Sequence, residues 1–356
     1  MRPDAVDAAE RVPHGGTRDR DLFEFSANVN PERPDGVRAA YERALDDATR
    51  YPDDAYPAFR DAAADYVDRA TDRGIAREHV VPTPGGLAAL RSTFATTLEP
   101  GDRVVVPAPS FGEYAREADL QGATVDRVPH DAVVDLDADA LADARMVVAC
   151  NPNNPTGDAY DHDALRALAA RCRDAGTTLV VDEAFLGFTD EPSLAGEPGV
   201  VVARSLTKLF GLPGLRAGFA VATGRARDRL RTARRTWNLG APAAAVGAHC
   251  LRDHAFVAAT RDRVATERDR IRTGLPDGVR AYDDVADRDG VAPFVLLDVS
   301  DTGHAVADLV DACRERGVAV RDATTFRGLD AHVRIAVRTP DENDELLRVL
   351  AEVLGT

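Results

Sequence analysis

With 356 residues, 44% of them apolar, and no stretch near the ~20 consecutive apolar residues that span a bilayer, the chain reads as a globular protein with room for a main domain and a smaller companion. Acidic residues (60) outnumber basic ones (44), and the net charge of −16, spread along the sequence, repels nucleic-acid phosphates and anionic lipid and so excludes nucleic acid and membrane as partners. Four scattered cysteines, Cys150, Cys172, Cys250 and Cys313, form no Cys-x-x-Cys or Cys/His cluster, which indicates neither a disulfide framework nor a metal centre, and the absence of an apolar leader predicts a cytoplasmic location.

Residues 1–35 are polar, rich in Pro and Gly, and read as an arm carrying two small motifs, His14-Gly15-Gly16 and Phe25-Ser-Ala-Asn28-Val-Asn-Pro31. Val37, Ala40, Tyr41 and Ala44 have helical spacing over 35–45, and the turn Arg50-Tyr51-Pro-Asp-Asp-Ala-Tyr56 leads into a second helix over Ala58–Asp72. A short strand at His79–Val81 runs into Pro82-Thr-Pro-Gly-Gly86, which turns it into a helix starting near Leu87. A Gly-rich turn feeding a helix exposes free backbone N–H groups, so Gly86, Leu87 and Ala88 form a candidate anion site.

Strands then alternate with helical segments such as Ala164–Ala175: Arg103–Pro107, Thr124–Val128, Met146–Ala149, Thr178–Val181, Val200–Arg204 and Leu215–Val221. Apolar strands alternating with helices predict an α/β fold with a mostly parallel sheet covered on both faces, and ligands bind beyond the carboxyl ends of such strands. Three motifs fall there: Pro109-Ser-Phe111-Gly-Glu-Tyr114, Asn151-Pro-Asn-Asn154-Pro-Thr-Gly157 and Val181-Asp182-Glu-Ala-Phe185. Beyond Arg225 come a basic helix over Ala226–Arg235, one long helix from Ala244 to about Thr273, strands at Val279–Tyr282, Phe294–Val299, Val318–Arg321 and Val333–Val337, and helices at Ala305–Arg316 and Glu342–Leu354. The expected organisation is an arm (1–35), a large domain (36–225) and a smaller α/β C-terminal domain (226–356).

Lys208 is the only lysine in a chain that otherwise draws its cations from arginine. An arginine stays protonated, whereas a lysine amine can lose its proton and add to a carbonyl carbon as a Schiff base. Ser205 precedes Lys208 by three residues and Arg216 follows it by eight, with Gly211, Pro213 and Gly214 between. This spacing resembles the pyridoxal 5'-phosphate site of fold-type I aminotransferases. The resemblance implies that Lys208 holds the cofactor aldehyde, while Ser205, Arg216 and the N–H groups of Gly86, Leu87 and Ala88 hold its phosphate. No Ser or Thr follows the glycines, so backbone groups alone serve there. It further implies that Phe111 lies against the cofactor ring, that Asn154 donates to the ring oxygen and that Asp182 keeps a proton on the pyridine nitrogen. Tyr51 would reach the cofactor phosphate of a partner subunit, which predicts a homodimer.

Within this family the sequence resembles threonine-phosphate decarboxylases and histidinol-phosphate aminotransferases. His14-Gly-Gly16 with Glu24-Phe-Ser-Ala-Asn-Val-Asn-Pro31, and the wording around Lys208, resemble the decarboxylases. So does Phe185, which stands where the aminotransferases usually carry a tyrosine that bonds the cofactor ring oxygen. Arg334 and Arg338 stand where the aminotransferases tend to keep one arginine. On a regular strand they share a face about 13 Å apart, which assigns Arg334 to a substrate carboxylate and leaves Arg338 for a phosphate. By the same resemblance His14, Gly15 and Asn28 belong to a phosphorylated amino acid substrate. The expected activity is decarboxylation of L-threonine O-3-phosphate to aminopropanol O-phosphate for cobalamin assembly. Histidinol-phosphate transamination is the alternative, and a non-catalytic pyridoxal phosphate-binding regulator a remote one. The acidic, lysine-poor composition resembles that of halophilic proteomes.

Overall fold

The computed structural model describes residues 1–286 and 289–355. After a short helix at Pro3–Ala8 comes the first strand, β1 (Phe23–Glu24). The main sheet is built by β2 (Val80–Thr83), β3 (Arg103–Ala108), β4 (Thr124–Pro129), β5 (Ala144–Cys150), β6 (Thr178–Asp182), β7 (Val200–Ser205) and β8 (Gly218–Ala222), in the order β2-β8-β7-β6-β5-β3-β4. From β7 to β4 neighbouring strands are parallel, while β8 runs antiparallel to β2 and β7. Parallel pairing needs crossovers, and helices such as Glu113–Gln121 and His162–Ala175 supply them. With helices on both faces, successive strand residues must all be apolar. Val147, Ala149, Leu179 and Val181 accordingly pack in one layer with Phe59 and Leu165, and Met146, Val148 and Val180 in the other with Leu90 and Phe94.

The C-terminal layer contains β9 (Arg280–Ala281), β10 (Phe294–Asp298), β11 (Val318–Ala319), β12 (Arg321–Asp322) and β13 (His332–Ala336). An antiparallel sheet runs β12-β13-β10-β9, and β1 pairs in parallel with β11. The chain after β1 is held in this layer: the Phe25 N–H donates to Ala319 O at 2.9 Å and its carbonyl accepts from Ala336 N at 2.9 Å. Phe25 is fully buried with Ile271, Val295 and Ile335, so Ser26 to Asn28 emerge at the seam between the two layers. Among the described residues no helix is long and apolar enough to cross a membrane.

Three expectations change. The long helix expected over 244–273 is two, Ala241–Leu251 and His254–Thr273. Asp253 caps the second by accepting from Phe256 N at 3.0 Å, as an N-cap aspartate does. The strand expected from Leu215 begins at Gly218, because Pro213–Leu215 is a 3-10 turn and Arg216 has a left-handed backbone (φ 53°) that no strand accommodates. The strand expected over Val318–Arg321 divides into β11 and β12, which pair with different partners, β1 and β13.

Candidate active site

Lys208 lies in the single helical turn Leu206–Leu209 that leaves the carboxyl end of β7, and Ser205 caps that turn. The turn opens into a cavity of about 390 Å³ between the main sheet and the C-terminal layer. Burial is the largest influence on the amine, with the positive charges of Arg334 and Arg216 acting the same way and Asp182 opposing; together they bring the Lys208 pKa down to about 8. Its ammonium lies 6.0 Å from the centre of the Phe185 ring.

One end of the cavity suits an oxyanion. Gly86 and Leu87, the first residues of the helix Gly86–Thr97, line it, and their N–H groups have no carbonyl one turn back to bond. Gly85 must be glycine: its φ is 94°, and a Cβ there would meet Arg216 Nη2 at 2.7 Å. That close approach brings the Arg216 guanidinium to the helix start beside Ser205 and Thr207, all of which line the cavity. Ala88 does not line it; its N–H donates back to Gly85 O at 3.2 Å.

The floor is Asp182 at the end of β6. Its Oδ2 accepts from the Tyr114 hydroxyl at 2.7 Å and its Oδ1 from Ala184 N at 3.0 Å. Burial pushes its pKa up, and these two donors and Lys208 work against that rise. Phe111 borders the same space and meets Tyr114 edge-on with centroids 5.6 Å apart. Asn154 lines it too, and its Oδ1 accepts from Arg334 Nη1, which leaves the amide nitrogen as the donor for a ligand.

The opposite end is cationic. Arg334 on β13 is buried beneath the rings of Phe294 and Phe326 and donates to Ser26 O at 3.2 Å. Burial, then Arg321, bring its pKa down to about 9. Arg321 on β12 stands opposite Arg334 in the strand register, lines the cavity, and donates to Pro13 O and Thr325 Oγ1, both at 2.9 Å. His14, Gly15 and Asn28 of the arm complete the wall. His14 Nε2 is 3.1 Å from Glu113 Oε1, with its ring 5.7 Å from that of Phe111. Gly15 passes so close to Ser26 that a Cβ would stand 2.1 Å from the Ser26 carbonyl oxygen.

Besides Ala88, two sequence candidates lie elsewhere. Tyr51 is 77% exposed, outside the cavity, and stacks on Trp237 at 4.1 Å. Arg338 follows the end of β13, where the regular strand spacing no longer applies, and turns to Glu342 (2.8 Å) and Glu24 O (3.0 Å) over the Phe25 ring. Conversely, Tyr114, Thr207 and Arg321 join the site without having been singled out in the sequence. Tyr114 could have been, since it follows Phe111 by three residues on the first turn of a helix; Arg321 has no local signal.

The arrangement fits pyridoxal 5'-phosphate. An anion cradle requiring a Cβ-less residue, a lysine of lowered basicity and a carboxylate held for a cationic ring share one cavity. Among the described residues, moreover, Asn28 Oδ1 and Arg334 Nε are buried there without hydrogen-bond partners.

The family model described as Aminotransferase class I and II matches residues 20–350. The histidinol-phosphate aminotransferase of Halobacterium salinarum is 33% identical over 362 residues, covering 95% of this chain and 93% of its own. Further histidinol-phosphate aminotransferases, from Archaeoglobus fulgidus among other sources, match at 28% to 33%. The threonine-phosphate decarboxylase of Salmonella typhimurium is 31% identical over 361 residues, covering 94% and 91%. The crystal structure of L-threonine-O-3-phosphate decarboxylase from Porphyromonas gingivalis superposes with a TM-score of 0.81 over 93% of this chain and 99% of that one; at 24% identity it speaks for the fold.

Proposed function

The chain belongs to the class I and II aminotransferase family, and from that premise we propose that it decarboxylates L-threonine O-3-phosphate to aminopropanol O-phosphate, a building block of cobalamin. The observation that carries this reading is the pairing of Arg321 with Arg334 across β12 and β13, both in the cavity and joined there by His14. Threonine phosphate bears a carboxylate and a phosphate on one molecule and so uses two cationic positions at once; histidinol phosphate bears the phosphate alone, and in transamination a second cationic position serves only the dicarboxylate 2-oxoglutarate. Phe185 adds support, since beside Lys208 it offers no hydroxyl. The second reading, histidinol-phosphate aminotransferase, is favoured by the recurrence of that activity among the matched relatives.

Pyridoxal 5'-phosphate, the cofactor of this family, supplies when bound an aldehyde and a cationic ring that accepts the electron pair released at the substrate Cα. Gly86, Leu87, Ser205 and Arg216 hold its phosphate, and Asp182 holds the proton of its ring nitrogen. Arg334 orients the substrate carboxylate, while Arg321 and His14 take the substrate phosphate. The arm over the cavity and the rings of Phe111 and Phe185 exclude water. As carbon dioxide leaves, Lys208 delivers a proton to Cα; its amine, brought down to about 8 in the empty cavity, starts closer to neutral pH than an ordinary lysine. Tyr51, exposed beside Trp237 and outside its own cavity, is assigned to the cofactor phosphate of a second copy in a homodimer.

The test is product identification at high salt with the cofactor-loaded protein. Threonine phosphate alone is expected to give carbon dioxide and aminopropanol phosphate, and histidinol phosphate with 2-oxoglutarate no glutamate. Glutamate in the second mixture and nothing in the first would replace this reading by the aminotransferase.

A further inference from the structure

Behind the carboxylate floor lies a buried ion pair to which the chemistry above gives no part. Glu183 follows Asp182 at the end of β6, and Arg204 precedes Ser205 at the end of β7. Arg204 Nη2 stands 2.7 Å from Glu183 Oε2, with the two side chains 6% and 0% exposed. The Glu183 carboxylate also accepts from Ser193 Oγ at 2.7 Å and Leu194 N at 2.9 Å, and its own N–H donates to Ala203 O at 2.9 Å. The pair thus bridges the two strands where Asp182 and Ala203 are in register. Strand alternation sends Asp182 into the cofactor cavity and Glu183 and Arg204 to a small hollow behind it, against Tyr66.

Stability alone does not account for this pair, because apolar residues of similar volume commonly serve as well as two desolvated charges. Its position supplies a reason. A carboxylate next to Asp182 is a like charge that opposes ionisation of the group facing the cofactor ring, and a buried cation bound to that carboxylate cancels the effect.

We propose that Arg204, acting through Glu183, is a positioning residue for Asp182: it neutralises the like charge beside that carboxylate and locks the ends of β6 and β7 where Asp182 and Ser205 meet the cofactor. The proposal rests on the family's cofactor and not on the choice of substrate, so it stands whether threonine phosphate or histidinol phosphate is the substrate. The groups that face Asp182 are Tyr114 from the helix after β3, Cys150 at the end of β5, Glu183, and Lys208 after β7. Tyr66 faces the ion pair, and Arg261 lines a hollow with Tyr66 and Arg204.

The experiment measures the dissociation constant of pyridoxal phosphate by equilibrium dialysis at a series of decreasing pH values, with thermal melts of the cofactor-free proteins in parallel. In the wild type, affinity falls as Asp182 takes up a proton. Glu183→Gln removes the like charge, keeps Asp182 ionised to lower pH and moves the midpoint down. Arg204→Met leaves Glu183 unanswered, raises the proton affinity of Asp182 and moves the midpoint up. Each shift is expected to be about one pH unit, and the double variant Glu183→Gln/Arg204→Met returns to the wild-type midpoint. A merely structural pair would lower the melting temperature in both single variants without opposite shifts in the midpoint. Shifts of one sign, no shifts, or a double variant that fails to return overturn the proposal. Where Arg204→Met does not fold, Glu183→Gln and the double variant decide it.

Discussion

Replacing Lys208 by Met removes the amine that the cavity desolvates while keeping most of the side-chain bulk. Burial, then the charges of Arg334 and Arg216, hold the lysine at about 8 against an ordinary 10.5, with Asp182 opposing. At 1.36 kcal/mol per pH unit this corresponds to about 3.4 kcal/mol against the charged form. Water at the cavity mouth screens the site and brings the figure to roughly 2–3 kcal/mol. Between about 8 and 10.5 the folded chain binds fewer protons here than the unfolded chain, so this group makes stability rise with pH across that window; below it the penalty is present in full. Cofactor-free Lys208→Met is therefore expected to be more stable than cofactor-free wild type by roughly 2–3 kcal/mol at neutral pH. The advantage should fade as pH approaches 10.5. Denaturant titrations of the two proteins at neutral and alkaline pH measure both quantities. A variant no more stable than wild type at neutral pH, or an advantage that does not change with pH, refutes the reasoning.

Arg334 and Arg338 separate the proposed substrate contact from a structural one. Arg338→Ala loses the bonds to Glu342 and Glu24 O and is expected to cost about 1–2 kcal/mol of stability with KM unchanged. Arg334→Ala is expected to lower kcat/KM at least about tenfold, since it removes a charge-assisted contact to substrate. Steady-state kinetics beside denaturation curves distinguish the two, and a raised KM in Arg338→Ala would return that residue to the site. Asp158 offers a pH-dependent case outside the cavity wall. Burial raises its pKa, but the His130 ring 3.3 Å away and the bond from Thr156 outweigh burial and hold the carboxyl down to about 2. A carboxyl depressed on folding stabilises above 3.8 and loses that contribution as pH falls toward 2. Asp158→Asn should cost about 2 kcal/mol at neutral pH, and the gap to wild type should close in acid.

The parallel sheet was legible because strands covered on both faces are apolar at every position, a signal carried by Met146–Ala149 and Leu179–Val181 without reference to the rest of the chain. The core of the site was legible for a related reason. Ser205, Lys208 and Arg216 are close in sequence, and Asp182 and Asn154 each directly follow such a strand or its first turn. What escaped depends on pairing between distant segments. Arg321 enters the cavity because β12 lies in register with β13, and β11 breaks away two residues earlier to pair with β1. Arg338 lies past the strand period, which ends at Ala336; Thr339-Pro340 and Glu342 carry a helix-start signal, realised as a capping box. Tyr51 lies beyond what one chain can position.

The solitary lysine acquires its meaning from the arginines around it. Arg216 and Arg334 both lower the basicity of Lys208 and border the cavity on either side of it, one at the phosphate cradle and one at the substrate end. An arginine at position 208 would stay protonated under the same influence. A lysine instead responds to the occupancy of its neighbours: an anion against Arg216 or Arg334 screens the positive charge that Lys208 experiences and makes its amine more basic. The empty cavity therefore raises the share of neutral amine over that of an ordinary lysine, the form that can add to a carbonyl carbon. The filled cavity favours the ammonium, the form that can return a proton to Cα. On the roles proposed above, the two demands on Lys208 come at different stages of binding, and neutralisation of the surrounding arginines by a bound phosphate and then a bound carboxylate would supply the change between them.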